Sequence, residues 1–75
     1  MNLLIFGASG RTGLYLTEMS LSNGHQVTVM LRNPQNFSLT HPNLSVIQGD
    51  VLDLRSVSSA VKGKDAVLSA IGRRD

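Results

Sequence analysis

The chain has 75 residues, 41% of them hydrophobic and 16% charged, with a formal net charge of +2 from seven Lys and Arg against five Asp and Glu. This balance excludes a disordered polar tail, and a length below the usual domain size of roughly 100–150 residues predicts a fragment of a larger fold rather than a minimal domain that borrows surface from a partner. The absence of cysteine excludes a disulfide framework and a thiolate metal site within these residues, and it suits a cytoplasmic protein.

Met1 stands just before the first predicted strand and reads as a native start. The run Leu3-Leu4-Ile5-Phe6 is continuously apolar, as in strands buried on both faces of a parallel sheet. It is too short for a signal-peptide core or a membrane span, so no membrane partner is expected. A glycine-rich turn follows, and then a helical pattern over about residues 11–23. On a helical wheel Gly13, Leu14, Leu16, Thr17, Ser20 and Leu21 share one arc, and Gly24 suits the C′ position. A second strand is predicted over Gln26 to Leu31, ended by Asn33-Pro34. The polar stretch from Gln35 to Asn43 reads as loop or one short helical turn.

A third strand over Leu44 to Gln48 closes at Gly49-Asp50. Asp53 is placed to cap a helix over Leu54 to Val61, with Leu54, Val57 and Val61 on one face and Gly63 beyond its end. Asp65 to Ile71 reads as a fourth strand. With no Trp, two Phe and one Tyr, the core must be aliphatic. Alternating strands and helices predict an α/β, Rossmann-type parallel sheet, and right-handed crossovers give the strand order 3-2-1-4. Residues 1–75 are then the N-terminal half of a single domain of this type. The fourth strand would be an exposed apolar edge, a route to self-association.

The segment Gly7-Ala8-Ser9-Gly10-Arg11-Thr12-Gly13 has the spacing Gly-x-x-Gly-x-x-Gly between an apolar strand and a helix. In that setting Gly7 lets the chain turn, Gly10 lets the backbone approach a pyrophosphate, and Gly13 lets the helix pack closely on the sheet. The unpaired amides and dipole of the helix start favour the pyrophosphate. Gly7, Ser9, Gly10, Arg11, Thr12 and Gly13 are therefore assigned to a dinucleotide cofactor. No Gly-Lys-Ser/Thr follows, which excludes a P-loop.

Dinucleotide folds often carry an acid after the second strand to bind the ribose 2′-hydroxyl. Here Arg32 stands in that region, and a guanidinium pairs with a 2′-phosphate where a carboxylate would repel it. Arg32 and Arg11 together favour NADP(H) over NAD(H), unless both are merely solvated cations. Asp50 and Val51 border the adenine side, Asp50 either accepting from the adenine amino group or capping the next turn. Ser69, Ala70, Ile71 and Gly72 end the fourth strand, where small residues let the nicotinamide ribose pass, unless they serve only sheet packing. Arg73 and Arg74 read as a solvated pair; no aromatic residue interleaves with the cations, and no nucleic-acid partner is expected. His25, His41 and Tyr15 receive no catalytic role. His25 reads as a surface residue entering the second strand, His41 has no partner at metal-ligand spacing, and Met19 stands where a Tyr-x-x-x-Lys pair needs its lysine.

With "GASGRTG" and "LRNP", followed by "VIQGDVLD" and "DAVLSAIG" in order, nearly the whole chain resembles the atypical short-chain dehydrogenase/reductase family. The nearest likeness is to its NmrA-like and flavin reductase/biliverdin reductase B-like members. The resemblance implies NADP(H) binding through Gly7, Gly10, Arg11, Thr12 and Gly13, with Arg32 at the 2′-phosphate. It also implies Asp50 and Val51 beside the adenine, and residues 69–72 beside the cofactor ribose. The family's C-terminal half, which shapes the substrate pocket, has no counterpart here, so the catalytic residues and the small-molecule substrate stay unassigned. The expected function is an NADPH-dependent reductase of flavin, quinone or carbonyl compounds. The alternatives are a non-enzymatic NADP(H) sensor and a nucleotide-sugar epimerase or dehydratase relative.

Overall fold

The computed structural model describes residues 1–7 and 10–69. The first apolar run forms strand β1 (Asn2–Phe6), followed by helix α1 (Arg11–Ser22) and strand β2 (Gln26–Leu31). A single 3-10 turn (Pro34–Asn36) then leads to strand β3 (Leu44–Gln48), helix α2 (Leu54–Val61) and strand β4 (Ala66–Ser69). The four strands form one parallel sheet in the order β3-β2-β1-β4, as right-handed crossovers require. This is the predicted Rossmann-type α/β arrangement.

The two central strands are apolar because they are covered on both faces. Ile5, Val27, Val29 and Leu31 pack with Leu21 of α1 on one side. Leu4 and Met30 pack with Ala60 of α2 on the other. Leu4, Ile5 and Val29 are wholly buried, and each such side chain contributes roughly 1.5–3 kcal/mol relative to exposure. The crossover between β2 and β3 has only the 3-10 turn and a loop, from which Phe37 and Leu39 reach down onto the α1-side cluster.

Two helix faces differ from the expected ones. On α1 the buried residues are Gly13, Thr17, Ser20 and Leu21, whereas Leu14 is turned outward and 38% exposed. Gly13 and Thr17 are both buried, and the Thr17 Oγ1 donates to the Gly13 carbonyl at 2.8 Å. On α2 the sheet-facing side is centred on Ala60, with Val57 half-buried beside it. Leu54 is 79% exposed and Val61 37%. A helix of eight residues has barely two turns, so one small residue against the sheet sets its rotation.

Turn chemistry follows the sequence. Asp53 Oδ1 accepts from the Arg55 amide at 3.0 Å and caps α2. Gly24, with φ +83°, ends α1 in the left-handed region. At the base of the sheet, Asn2 and Asp65 form a double clamp. The Asn2 amide donates to Asp65 Oδ2, and the Asp65 amide donates to the Asn2 carbonyl, both at 2.7 Å.

Candidate functional site

Strand β1 ends at Phe6, and Gly7 follows with φ +75°, a conformation that side chains with a Cβ resist. Gly10 is the N-cap of α1. Gly10 makes no side-chain cap, and the first turn of α1 carries no acid. The first bond inside the helix runs from the Leu14 amide to the Gly10 carbonyl at 2.9 Å. The amides of Arg11, Thr12 and Gly13 precede it, so the helix itself supplies them no acceptor. They form a cationic pole at the C-terminal edge of the sheet, where open α/β sheets bind ligands.

Gly10 has φ −80° and ψ 170°, a conformation open to any residue. A Cβ built there meets only the Gly7 carbonyl oxygen, at an ordinary 4.0 Å. Nothing in the described protein thus requires glycine at this position. The room left at this position by the described residues suits a ligand that touches the backbone, as a pyrophosphate does.

Beside this turn lies a hollow of about 360 Å³. Four of the residues expected at a cofactor line it: Gly7, Arg32, Asp50 and Val51. Arg32 is exposed at the end of β2, and its backbone carbonyl accepts from Gln48 Nε2 at 3.3 Å. Asp50 spends one carboxylate oxygen within its own turn, where Oδ1 accepts from the Leu52 amide at 2.9 Å. The turn-capping reading of Asp50 therefore describes its geometry here. Arg11 and Thr12 are exposed on the first turn of α1, outside the lining of the hollow, and Gly13 is buried under the helix. Ser69 ends β4 directly beside Phe6. Ser9, Ala70, Ile71 and Gly72 lie outside the described residues.

The same hollow is lined by Met30, Leu31, Gly49 and Leu52, which the sequence did not single out. A Cβ on Gly49 would fall 2.6 Å from Met30 Sδ, 2.9 Å from Met30 Cγ and 3.2 Å from Ser56 Cβ. The missing side chain lets Met30 occupy the floor of the pocket. The proximity of Gly49 to a loop aspartate was the available signal. A roomier trough of about 530 Å³ runs between α2 and β3, lined by Thr28, Ser45, Arg55 and Lys64 among others. None of the described glycine-turn residues borders it, and geometry favours the smaller hollow at the strand ends.

Among the described residues there is no cluster of His, Cys, Asp or Glu fit to hold a metal ion. No helix among them is long and apolar enough to cross a membrane.

Comparison with known proteins agrees with this geometry. Residues 7–75 match the profile of a family described as NAD(P)H-binding. The chain is 37% identical over 73 residues to "Probable pinoresinol-lariciresinol reductase 3" of Arabidopsis thaliana, which covers 92% of this chain and 24% of that protein. It is 33% identical over 79 residues to an isoflavone reductase homolog of Nicotiana glauca, with 93% and 26% covered. Among solved structures, a Rossmann-fold NAD(P)-binding family protein from Shigella flexneri superposes with a TM-score of 0.82 at 28% identity, covering 99% of this chain and 39% of that one. The chain spans about a quarter of the length of the curated relatives it matches. The glycine turn, the strand order and these matches coincide: the chain belongs to the NAD(P)H-binding family, among the NmrA-like, atypical short-chain dehydrogenase/reductases.

Proposed function

We propose that these residues form the N-terminal, cofactor-binding part of a single Rossmann domain in an NADPH-dependent oxidoreductase that reduces a flavin, quinone or carbonyl compound. The observation that carries the reading is the start of α1, where nothing among the described residues packs closely enough to require glycine at position 10. The amides of residues 11–13 would hold the pyrophosphate, and Gly7 would let the backbone pass beneath it. Arg32 would pair with the 2′-phosphate, which gives the preference for NADP(H) over NAD(H). The turn at Asp50-Val51, held by the Leu52 amide, would border the adenine. The bound nicotinamide would supply the hydride. The chain's own residues would bind and orient it.

Gly10→Ala tests this. A methyl group there meets no described residue closer than 4.0 Å, so the melting temperature should hold or rise slightly, since replacing glycine stiffens the unfolded chain. NADPH affinity, followed by the cofactor's fluorescence, should fall about tenfold or more, the ~1.4 kcal/mol expected when one close backbone contact is lost. Undiminished affinity in a folded variant would overturn the assignment. NADPH oxidation with a panel of flavin and quinone acceptors then separates a reductase, which turns over, from a sensor, which binds without turnover.

A further inference from the structure

Strand β3 is an edge of the sheet, and β2 is its only strand neighbour among the described residues. Edge strands usually carry a charge, a proline or a bulge against pairing with another chain. β3 has none of these: residues 43–49 read Asn-Leu-Ser-Val-Ile-Gln-Gly, without charge or proline. Its register with β2 runs unbroken from Leu44 to Gln48. Ser45, Val46 and Gln48 are exposed, Val46 by 38%.

The backbone groups of this edge are arranged for one particular partner. The Val27 amide donates to the Asn43 carbonyl and the Gly49 amide donates to the Leu31 carbonyl, both at 2.9 Å. Strand groups alternate, so residues 43, 45, 47 and 49 turn theirs toward β2, while residues 44, 46 and 48 turn theirs outward. One outward group is already used, because the Leu44 amide donates to the His41 carbonyl at 3.0 Å. What remains outward is the Leu44 carbonyl and both groups of Val46 and Gln48.

We propose that this edge recognises a second copy of the chain, two β3 strands pairing antiparallel about a two-fold axis at Val46. In that register Val46 exchanges two hydrogen bonds with its mate. Each Gln48 amide donates to the Leu44 carbonyl opposite, which completes four bonds and leaves out the used Leu44 amide and the Gln48 carbonyl that would face it. Ser45 faces Ile47 across a closely spaced, non-hydrogen-bonded position, and the two Val46 side chains form a β-branched pair. An uncharged strand offers no complementarity to a charged foreign peptide, whereas it is complementary to itself. The interface is isologous and closes at two copies. It is independent of the nucleotide reading. Five residues a side bury less than the ~800 Å² per partner of a stable complex, so association is expected at about 0.1–1 mM.

Sedimentation equilibrium across that range should show monomer and dimer. Val46→Lys, at an exposed position, should leave the circular dichroism unchanged and remove the dimer by setting two ammonium groups against each other. Because the chain has no cysteine, Ser45→Cys and Ile47→Cys can be made separately and mixed. Across the close pair the Cα atoms stand about 4.5 Å apart, within disulfide range. With oxidised glutathione the mixture should form a disulfide dimer about tenfold or more faster than either variant alone, as pairing raises the local thiol concentration. Equal rates in all three samples, a Val46→Lys variant that still dimerises, or open polymers from β3 pairing with β4 would each overturn the proposal.

Discussion

Gly49→Ala puts a methyl group where the structure has no room for one. The new Cβ would lie 2.6 Å from Met30 Sδ and 2.9 Å from Met30 Cγ, with Ser56 Cβ behind at 3.2 Å. Met30 is 3% exposed and packs with Leu4 and Ala60, so it can move only by repacking this cluster or by swinging into the hollow it lines. Overpacking of this kind costs about 1–3 kcal/mol. For a domain of this size each kcal/mol lowers the melting temperature by about 4–8 °C, so a cost near 2 kcal/mol gives a drop of roughly 8–16 °C. That is a large part of the total stability of a 75-residue chain, for which about 0.05–0.15 kcal/mol per residue is usual. Urea denaturation gives the cost directly, and NADPH titration reads the intrusion into the pocket as weaker binding. Met30→Ala alone should cost about 2–5 kcal/mol through its cavity. In the double variant the methyl group added at position 49 partly fills that cavity, so the combined loss should fall short of the sum by at least ~1 kcal/mol. Strict additivity, or an unchanged melting temperature for Gly49→Ala, would refute the reasoning.

Arg32→Ala should weaken NADPH binding roughly ten- to a hundredfold and leave NADH binding nearly unchanged, as expected when a charge-assisted bond worth about 1.5–3 kcal/mol is removed. Isothermal titration with both cofactors checks this, and equal losses count against the 2′-phosphate assignment. Asp53→Ala removes the acceptor of the Arg55 amide and of Ser56 Oγ. It should cost about 1 kcal/mol in urea denaturation while NADPH affinity holds; no loss of stability would mean that the cap is idle.

The sheet was legible because its signals are local. A continuous apolar run at residues 3–6, a second strand carrying Val27, Val29, Met30 and Leu31, a glycine turn between the first strand and helix, and Asp53 before a short amphipathic stretch each have a single cheap reading. The bounds of β2, β3 and α2 follow from such signals. The rotation of α2 was not legible, since Leu54, Val57 and Val61 line up on the wheel while the sheet accepts Ala60. The site divides in the same way. Gly7, Arg32, Asp50 and Val51 stand out as glycine, charge or neighbour of charge at strand ends. Met30 and Leu31 look like ordinary strand residues, and that Met30 fills the place of a Gly49 side chain depends on how β2 and β3 align in space. Contacts across strands carry no mark in a linear pattern.

The clamp between Asn2 and Asp65 has a consequence for the order in which the molecule comes together. β1 is synthesised before both its neighbours, yet it lies between them, and its second flank is fastened by a residue 63 positions downstream. Closing so wide a separation costs chain entropy before any contact rewards it. On a ribosome the β1-β2 pair with α1 can assemble early, while one side of β1 stays bare until β4 emerges. In native-state hydrogen exchange, amides of β4 should therefore open before those shared by β1 and β2.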